Sequence, residues 1–280
     1  MNENISFGGS YNIPFQEGFR EAYLLHLADN ALILGQRNAE WCGHGPVLEQ
    51  DIAITNISLD LIGQARNFYQ YAARSMNHFH QTASPKDHSE VTEDTLAYFR
   101  TEREFRNCLL VELPNGDWAQ TILRQFLFSV YQFLLYSELQ KNESGIREEQ
   151  VSAIAAKALK EVTYHLRWSS EWVIRLGDGT EESHARIQQA LNELWPYTGE
   201  FFVAAEFEKE AAKTGLGFDP TLMKARWEEK VAGVFSEASI DCPTHKWMQT
   251  GGKQGMHTEH LGYILAEMQY LQRTYPGSEW

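Results

Sequence analysis

Long apolar stretches with the period of a helix dominate the chain. Between Ile52 and Ala73 the only charged residues are Asp60 and Arg66, and apolar residues fall on every side of a helical wheel. This pattern predicts a helix over about Leu48–Met76 that is buried on all sides. The polar residues inside it form one narrow stripe: Asn56, Asp60, Gly63 and Asn67. A stripe of this kind in a buried helix needs partners, so either a structural hydrogen-bond network or a metal or catalytic centre is expected there.

Several other segments have the same helical period. Further long helices are predicted over Phe19–Ala39, over Trp118–Leu139 with Asp117 as the N-cap, and over Ile146–Leu176. Other predicted helices cover Glu93–Leu110, 181–195, 197–213, 220–237 and Thr258 to about Arg273. We find no strand alternation and no long repeat, so the chain is predicted to be all-α. Four long helices in two pairs, joined by a long crossover, are typical of a ferritin-like four-helix bundle, here with additional C-terminal helices.

The predicted domain limits and the net charge of the chain exclude some classes of function. Residues 17–280 are predicted to form one domain, after a Gly-, Ser- and Asn-rich N-terminus (1–16) that is expected to be poorly ordered. Acidic residues outnumber Lys plus Arg by 38 to 24, and the net charge of -14 argues against a nucleic-acid or anionic-membrane partner. No signal pattern and no membrane-spanning apolar run is visible, and the three scattered cysteines favour a reduced, cytoplasmic setting.

A count of possible metal ligands tests for a dinuclear metal centre. Such sites in ferritin-like bundles use four carboxylates and two histidines, with Glu-x-x-His on two of the helices. Glu161 and His165 share a helix face, but they are four residues apart and Tyr164 stands where the histidine would be. Asp60 is followed three residues later by Gly63, which cannot bind a metal ion.

The two remaining long helices contribute little to such a centre. The third long helix has no carboxylate between Asp117 and Glu138, and the first has Asp29 as its only acid near the middle. Three carboxylates and one histidine are too few for a hard dinuclear site. The prediction is therefore a vestigial, buried polar network, with no metal, no cofactor-binding residue and no catalytic residue in this chain. Its members are Asp60, Glu161 and His165.

Two other segments hold weaker candidates. The glycine-rich loop Gly251–Gly255 resembles a phosphate-cradling loop but follows no predicted strand and lacks the P-loop spacing, so a flexible loop before Thr258 as an N-cap is expected. The segment from Asn77 to Glu90 contains three histidines and Pro85, and it is predicted to be a solvated linker. Those histidines are His78, His80 and His88.

Four long motifs carry a family resemblance. They are EWCGHGPVLEQDIAITNISLDLIGQARNFYQYAA, VELPNGDWAQTI, KALKEVTYHLRWSSEW and TGGKQGMHTEHLGYILAEMQYLQRTYPG. With these, the chain resembles the C subunits of bacterial phenylacetyl-CoA 1,2-epoxidase from about Phe19 to the C-terminus. The resemblance implies a ferritin-like, non-catalytic subunit in a tight complex with a homologous A subunit. It also implies that the A subunit holds the di-iron centre and binds the CoA thioester, while a reductase with FAD and an iron–sulfur cluster supplies electrons from NADPH.

The function expected from this resemblance is that of a structural subunit in aerobic phenylacetate catabolism. A di-metal oxygenase active in its own right and a stand-alone ferritin-like binding protein are the alternatives, and self-association is possible. Aromatic residues of the last third are expected to help form the partner surface, since stable interfaces are rich in aromatic side chains. They are Trp195, Tyr197, Phe201, Phe202, Trp247, Tyr263 and Tyr270.

Overall fold

The structure is a computed structural model that describes residues 18–83, 90–141, 148–244 and 247–278. In these ranges every regular element is a helix, as the sequence predicts. The α-helices are α1 (Phe19–Ala39), α2 (Leu48–Ala83), α3 (Glu93–Tyr98), α4 (Leu109–Glu112), α5 (Trp118–Leu139), α6 (Glu149–Gly177), α7 (Glu181–Leu194), α8 (Glu206–Lys213), α9 (Lys224–Glu237), α10 (Glu259–Met268) and α11 (Tyr270–Thr274).

The first two long helices form an antiparallel pair. The start of α1 meets the second half of α2, where Arg20 donates to the Tyr71 hydroxyl at 2.6 Å. Near its other end, the carbonyl of Gly35 accepts from the Ser58 hydroxyl at 2.6 Å. A Cβ atom at Gly35 would lie only 3.2 Å from the Ile62 side chain, so glycine lets the two helices approach closely here.

The other two long helices also run antiparallel, and α6 packs against α2. Asp117 caps α5 as predicted, since its carboxylate accepts from Gln120 N at 3.0 Å. At the opposite end of the pair, the Ser152 hydroxyl donates to Gln140 O at 2.8 Å. The contact between α6 and α2 includes Gln50, whose side-chain oxygen accepts from the indole nitrogens of Trp168 and Trp172. The four long helices thus pack in sequence-adjacent pairs around a common apolar core.

The second helix differs from the prediction in length and in burial. It continues to Ala83, so residues 77–83 belong to a helix and not to a linker. It is also not buried on all sides, because Ile52 is 52% exposed and Leu59 is 62% exposed. The helix α2 therefore has more apolar side chains than the rest of this chain covers.

The predicted helix Glu93–Leu110 is broken into pieces. It contains α3, a 3-10 helix over Glu102–Glu104 and the start of α4. Side chains from distant segments accept hydrogen bonds from its backbone: Arg106 N donates to Asp29, Cys108 N to Asn30 and Leu109 N to Glu200, at 2.7 to 2.8 Å. These bonds replace the intrahelical ones and redirect the chain. Arg100, one of the charged residues of this segment, is buried.

Other expectations are met in part or are not tested. Cys42, Cys108 and Cys242 are free thiols. None of the helices in the described ranges is long and apolar enough to cross a membrane. The N-terminal stretch (1–16), His88 and the side chain of His80 lie outside what the structure describes. The single-domain organisation stays a prediction.

Candidate functional site: polar clusters among the helices

The predicted network begins with a contact between α2 and α6. His165 is fully buried, and its Nε2 lies 2.9 Å from Oδ2 of Asp60, 105 positions away in the sequence. The Asp60 side chain is 37% exposed, so this pair lies at the edge of the core and not inside it as predicted. With a proton on Nε2, His165 donates to the carboxylate, and its buried Nδ1 has no hydrogen-bond partner.

Glu161 belongs to a neighbouring chain of hydrogen bonds. It is half-buried, and its Oε2 accepts from Gln64 Nε2 at 2.9 Å. The side-chain oxygen of Gln64 in turn lies 3.4 Å from Gln132 Nε2, which also lies 3.4 Å from the Tyr136 hydroxyl. Burial raises the pKa of Tyr136, so this hydroxyl stays neutral.

The side chains of this network come from α2, α5 and α6 with the same spacing on each helix. Each helix contributes two side chains four residues apart, a spacing that places both on one helix face. The pairs are Asp60 with Gln64 on α2, Gln132 with Tyr136 on α5, and Glu161 with His165 on α6. Sequence reasoning did not assign Gln64, Gln132 or Tyr136 to the network. The polar character of the two glutamines within apolar helices is the signal that could have found them.

The chemistry of these groups does not fit a dinuclear metal centre. The amide nitrogen of Gln64 donates to Glu161, and Nε2 of His165 lies 2.9 Å from Asp60, so each of these carboxylates has a hydrogen-bonding partner within the chain. The two side chains that α5 contributes, Gln132 and Tyr136, are an amide and a phenol and include no carboxylate. Within the described ranges, no group of three or more His, Cys, Asp or Glu side chains could hold a metal ion.

Asp29, the remaining acid in the ligand count, lies in a different cluster. It is fully buried, and Arg100 pairs with both of its carboxylate oxygens. The Tyr69 hydroxyl and Arg106 N donate to the same carboxylate at 2.5 and 2.7 Å. Asp29 therefore joins α1 to the segment after α3 and is not available to the network around His165.

The glycine-rich loop is anchored through Lys253, which is buried. Its ammonium lies 2.9 and 3.0 Å from the two carboxylate oxygens of Glu208 and also donates to the carbonyls of Phe201 and Val203. Burial acts to lower the pKa of Lys253, but the Glu208 carboxylate together with Cys108 and Glu200 outweighs it, so the pKa lies above its ordinary value. Because the Lys253 ammonium is directed into the core, it is not available to bind a phosphate. Its contacts anchor the loop to the rest of the chain, so the expectation of a flexible loop is wrong.

Close backbone approach explains the glycines of this loop. A Cβ atom at Gly252 would lie 2.2 Å from Asn107 O, and one at Gly255 would lie 2.3 Å from Arg103 O. Gly255 also has a φ of 75°, a region that favours glycine. The loop therefore packs directly on the irregular segment that precedes α4.

Two further carboxylates hold the same region together. Glu200 accepts from Leu109 N and from Gly251 N at 2.7 and 2.8 Å. Buried Glu112 accepts from Thr258 N at 2.6 Å and lies 2.7 Å from Nδ1 of His257. The other ring nitrogen of His257 lies 3.1 Å from a carbonyl oxygen, so both ring nitrogens face acceptors. Thr258 caps α10 as predicted.

The aromatic residues of the last third divide between core and surface. Phe201 and Phe202 are buried, while Trp195 and Tyr197 are partly buried against the core. The other three are largely exposed: Trp247 (65%), Tyr263 (67%) and Tyr270 (61%). Only these three have the accessibility that a partner surface requires.

Comparison with known proteins adds a family and a relative. The profile of the family described as "Phenylacetic acid catabolic protein" matches residues 19–280. The C subunit of the 1,2-phenylacetyl-CoA epoxidase of Escherichia coli (strain K12) is 48% identical over 259 residues, which cover 92% of this chain and 98% of the relative. Both matches span nearly the whole chain, and the family match includes every residue of the network around His165.

Proposed function

Because this chain belongs to the phenylacetic acid catabolic protein family, we propose that it is the C subunit of a phenylacetyl-CoA 1,2-epoxidase and serves phenylacetate catabolism as a structural subunit. One observation carries the structural role. At the contact of α2, α5 and α6, the polar side chains are two amides, a tyrosine hydroxyl, Asp60, Glu161 and His165, which fall short of the four carboxylates and two histidines of a dinuclear centre. The chain's own residues there hold α2, α5 and α6 together through hydrogen bonds.

The proposed fold is a ferritin-like bundle with added C-terminal helices. Two antiparallel pairs, α1 with α2 and α5 with α6, joined by a connection that contains α3 and α4, support it. In this bundle the network around His165 lies between helices from both pairs. It therefore fixes the packing of one pair on the other.

The chemistry of the complex belongs, in this proposal, to other subunits. A homologous A subunit holds the di-iron centre and binds the CoA thioester, and a reductase with FAD and an iron–sulfur cluster delivers electrons from NADPH. The assembly works in the cytoplasm. The buried ion pairs Lys253–Glu208 and Asp29–Arg100 give this chain a stiff frame on which a partner can be held. The exposed residues Trp247, Tyr263 and Tyr270 remain candidates for part of the contact surface.

Co-expression tests this function. The A subunit should be poorly soluble or inactive when produced alone, and it should co-elute with this chain on gel filtration. The pair should convert phenylacetyl-CoA when the reductase and NADPH are added. Full turnover by the A subunit without this chain would contradict the structural role, and turnover by this chain with the reductase alone would make it an oxygenase in its own right.

A further inference from the structure

The outer face of α2 carries a row of exposed apolar side chains. Ile52 and Leu59 lie two helical turns apart, both more than half exposed, and Ile62 extends the row toward α1. Single exposed apolar residues are common on protein surfaces, but a row of them along one face of a long helix favours an interaction site.

The spacing of this face fits a partner helix. Along this face of α2, successive residues are separated by four, three, four and three positions in the sequence. They are Ile52, Asn56, Leu59, Gly63 and Arg66. Every one of these residues is exposed. This is the spacing of a coiled-coil seam, in which a polar residue such as asparagine fixes the register. Within the described ranges, no helix of this chain fills the seam.

Gly63 provides a gap in the seam. A Cβ atom added there would meet nothing within 4 Å. An incoming helix could therefore insert a side chain over Gly63 and approach α2 closely, since the distance between helix axes depends on the side chains at the contact.

A band of positive charge borders the seam. The Asp60–His165 and Gln64–Glu161 contacts hold the middle of α6 beside the middle of α2. The outer side of α6 there exposes Tyr164 with three cations: Lys157, Lys160 and Arg167. In the part of the chain that the structure describes, these three cations form no ion pair. Such a band on a chain with a net charge of -14 is suited to an acidic partner.

We propose that a helix of a different, homologous subunit lies along this face, with apolar residues against Ile52 and Leu59 and an acidic flank against the α6 cations. This inference rests on the proposed function and specifies the surface involved. A second copy of this chain fits less well, because a two-fold contact would place this same face on both sides. It would also bring the same cations to the contact.

Replacement of Gly63 by leucine tests this surface, and Gly233 provides a matched control. Both glycines lie in helices at exposed positions with open space around them, so leucine should leave the free chain folded at either site. Purified A subunit is titrated with the wild-type chain and with each variant. Gly63→Leu should weaken binding by roughly 30-fold or more, as expected at a central interface position. Gly233→Leu should bind like the wild-type chain.

Two further variants test the apolar row and the charge. Leu59→Asp should weaken binding like Gly63→Leu. The double variant Lys157→Glu/Lys160→Glu should slow association and reduce its dependence on salt, since surface charges act mainly on the association rate.

Other outcomes would overturn the inference in distinct ways. If Gly63→Leu and Leu59→Asp bind the A subunit like the wild-type chain, the contact lies on another face, although the structural role stands. If the wild-type chain does not bind the A subunit at all, the proposed function fails first. A loss of thermal stability in free Gly63→Leu would show that this chain covers its own seam. A wild-type dimer in sedimentation that Gly63→Leu disrupts would identify a second copy as the occupant.

Discussion

Lys253→Met is the most informative test of the frame that holds the C-terminal segment. The ammonium group has four acceptors, two of them the carboxylate oxygens of Glu208, and both side chains are almost completely buried. Without Lys253, the Glu208 carboxylate keeps the Ala205 N–H at 2.8 Å as a hydrogen-bond donor, and the His26 ring nitrogen lies 3.7 Å away. A buried charge that loses its partner costs about 3–5 kcal/mol. For a chain of this size, that corresponds to a fall in melting temperature of roughly 6–20 °C.

Two further variants separate charge from packing. Lys253→Met/Glu208→Gln removes the stranded charge, so it should recover more than half of the lost stability. Lys209→Met, on the helix α8 that also carries Glu208, breaks the Lys209–Glu206 pair. That pair is largely solvent-exposed, so the melting temperature should stay nearly unchanged. Urea denaturation and calorimetry measure all three variants. The reasoning would be refuted if Lys253→Met melted like Lys209→Met, or if the double variant recovered nothing.

Three other predictions follow from the clusters. Burial acts to lower the pKa of His257, but Glu112 holds it above its ordinary value of 6.5. The stability from this pair should therefore be complete below about pH 6.5 and decline as the pH rises through the folded pKa, a trend in urea denaturation that His257→Gln should remove. His165→Ala should cost about 3 kcal/mol and Glu161→Ala about 1 kcal/mol, because only His165 is fully buried; the opposite order in denaturation would contradict the geometry. Elemental analysis of the purified chain should find no stoichiometric iron or manganese, and about two ions per chain would exclude a vestigial site.

Helix limits could be predicted where local signals define them. The sequence predicts α1 and α5 with the limits that the structure has, because apolar periodicity and an aspartate N-cap act within a few residues. The i, i+4 pair Glu161 and His165 likewise lies on one helix face, as its spacing requires.

These local signals could not predict which distant segments contact one another. Nothing local indicates that His165 meets Asp60 while Glu161 meets Gln64, since neighbouring positions on one face can reach different residues of α2. The same limit explains the broken helix between Glu93 and Leu110. Its backbone amides bond to side chains from remote positions, and those bonds exist only once the chain has folded.

The apolar character of α2 illustrates the same division. The order of apolar and polar residues along the sequence was enough to predict that this segment forms a helix with apolar residues on every side. Only the tertiary structure decided that α1 and α6 cover part of it and leave Ile52 and Leu59 exposed. Hydrophobic burial is non-directional, so a sequence specifies how much apolar surface must leave water, while the arrangement of helices decides which face stays open.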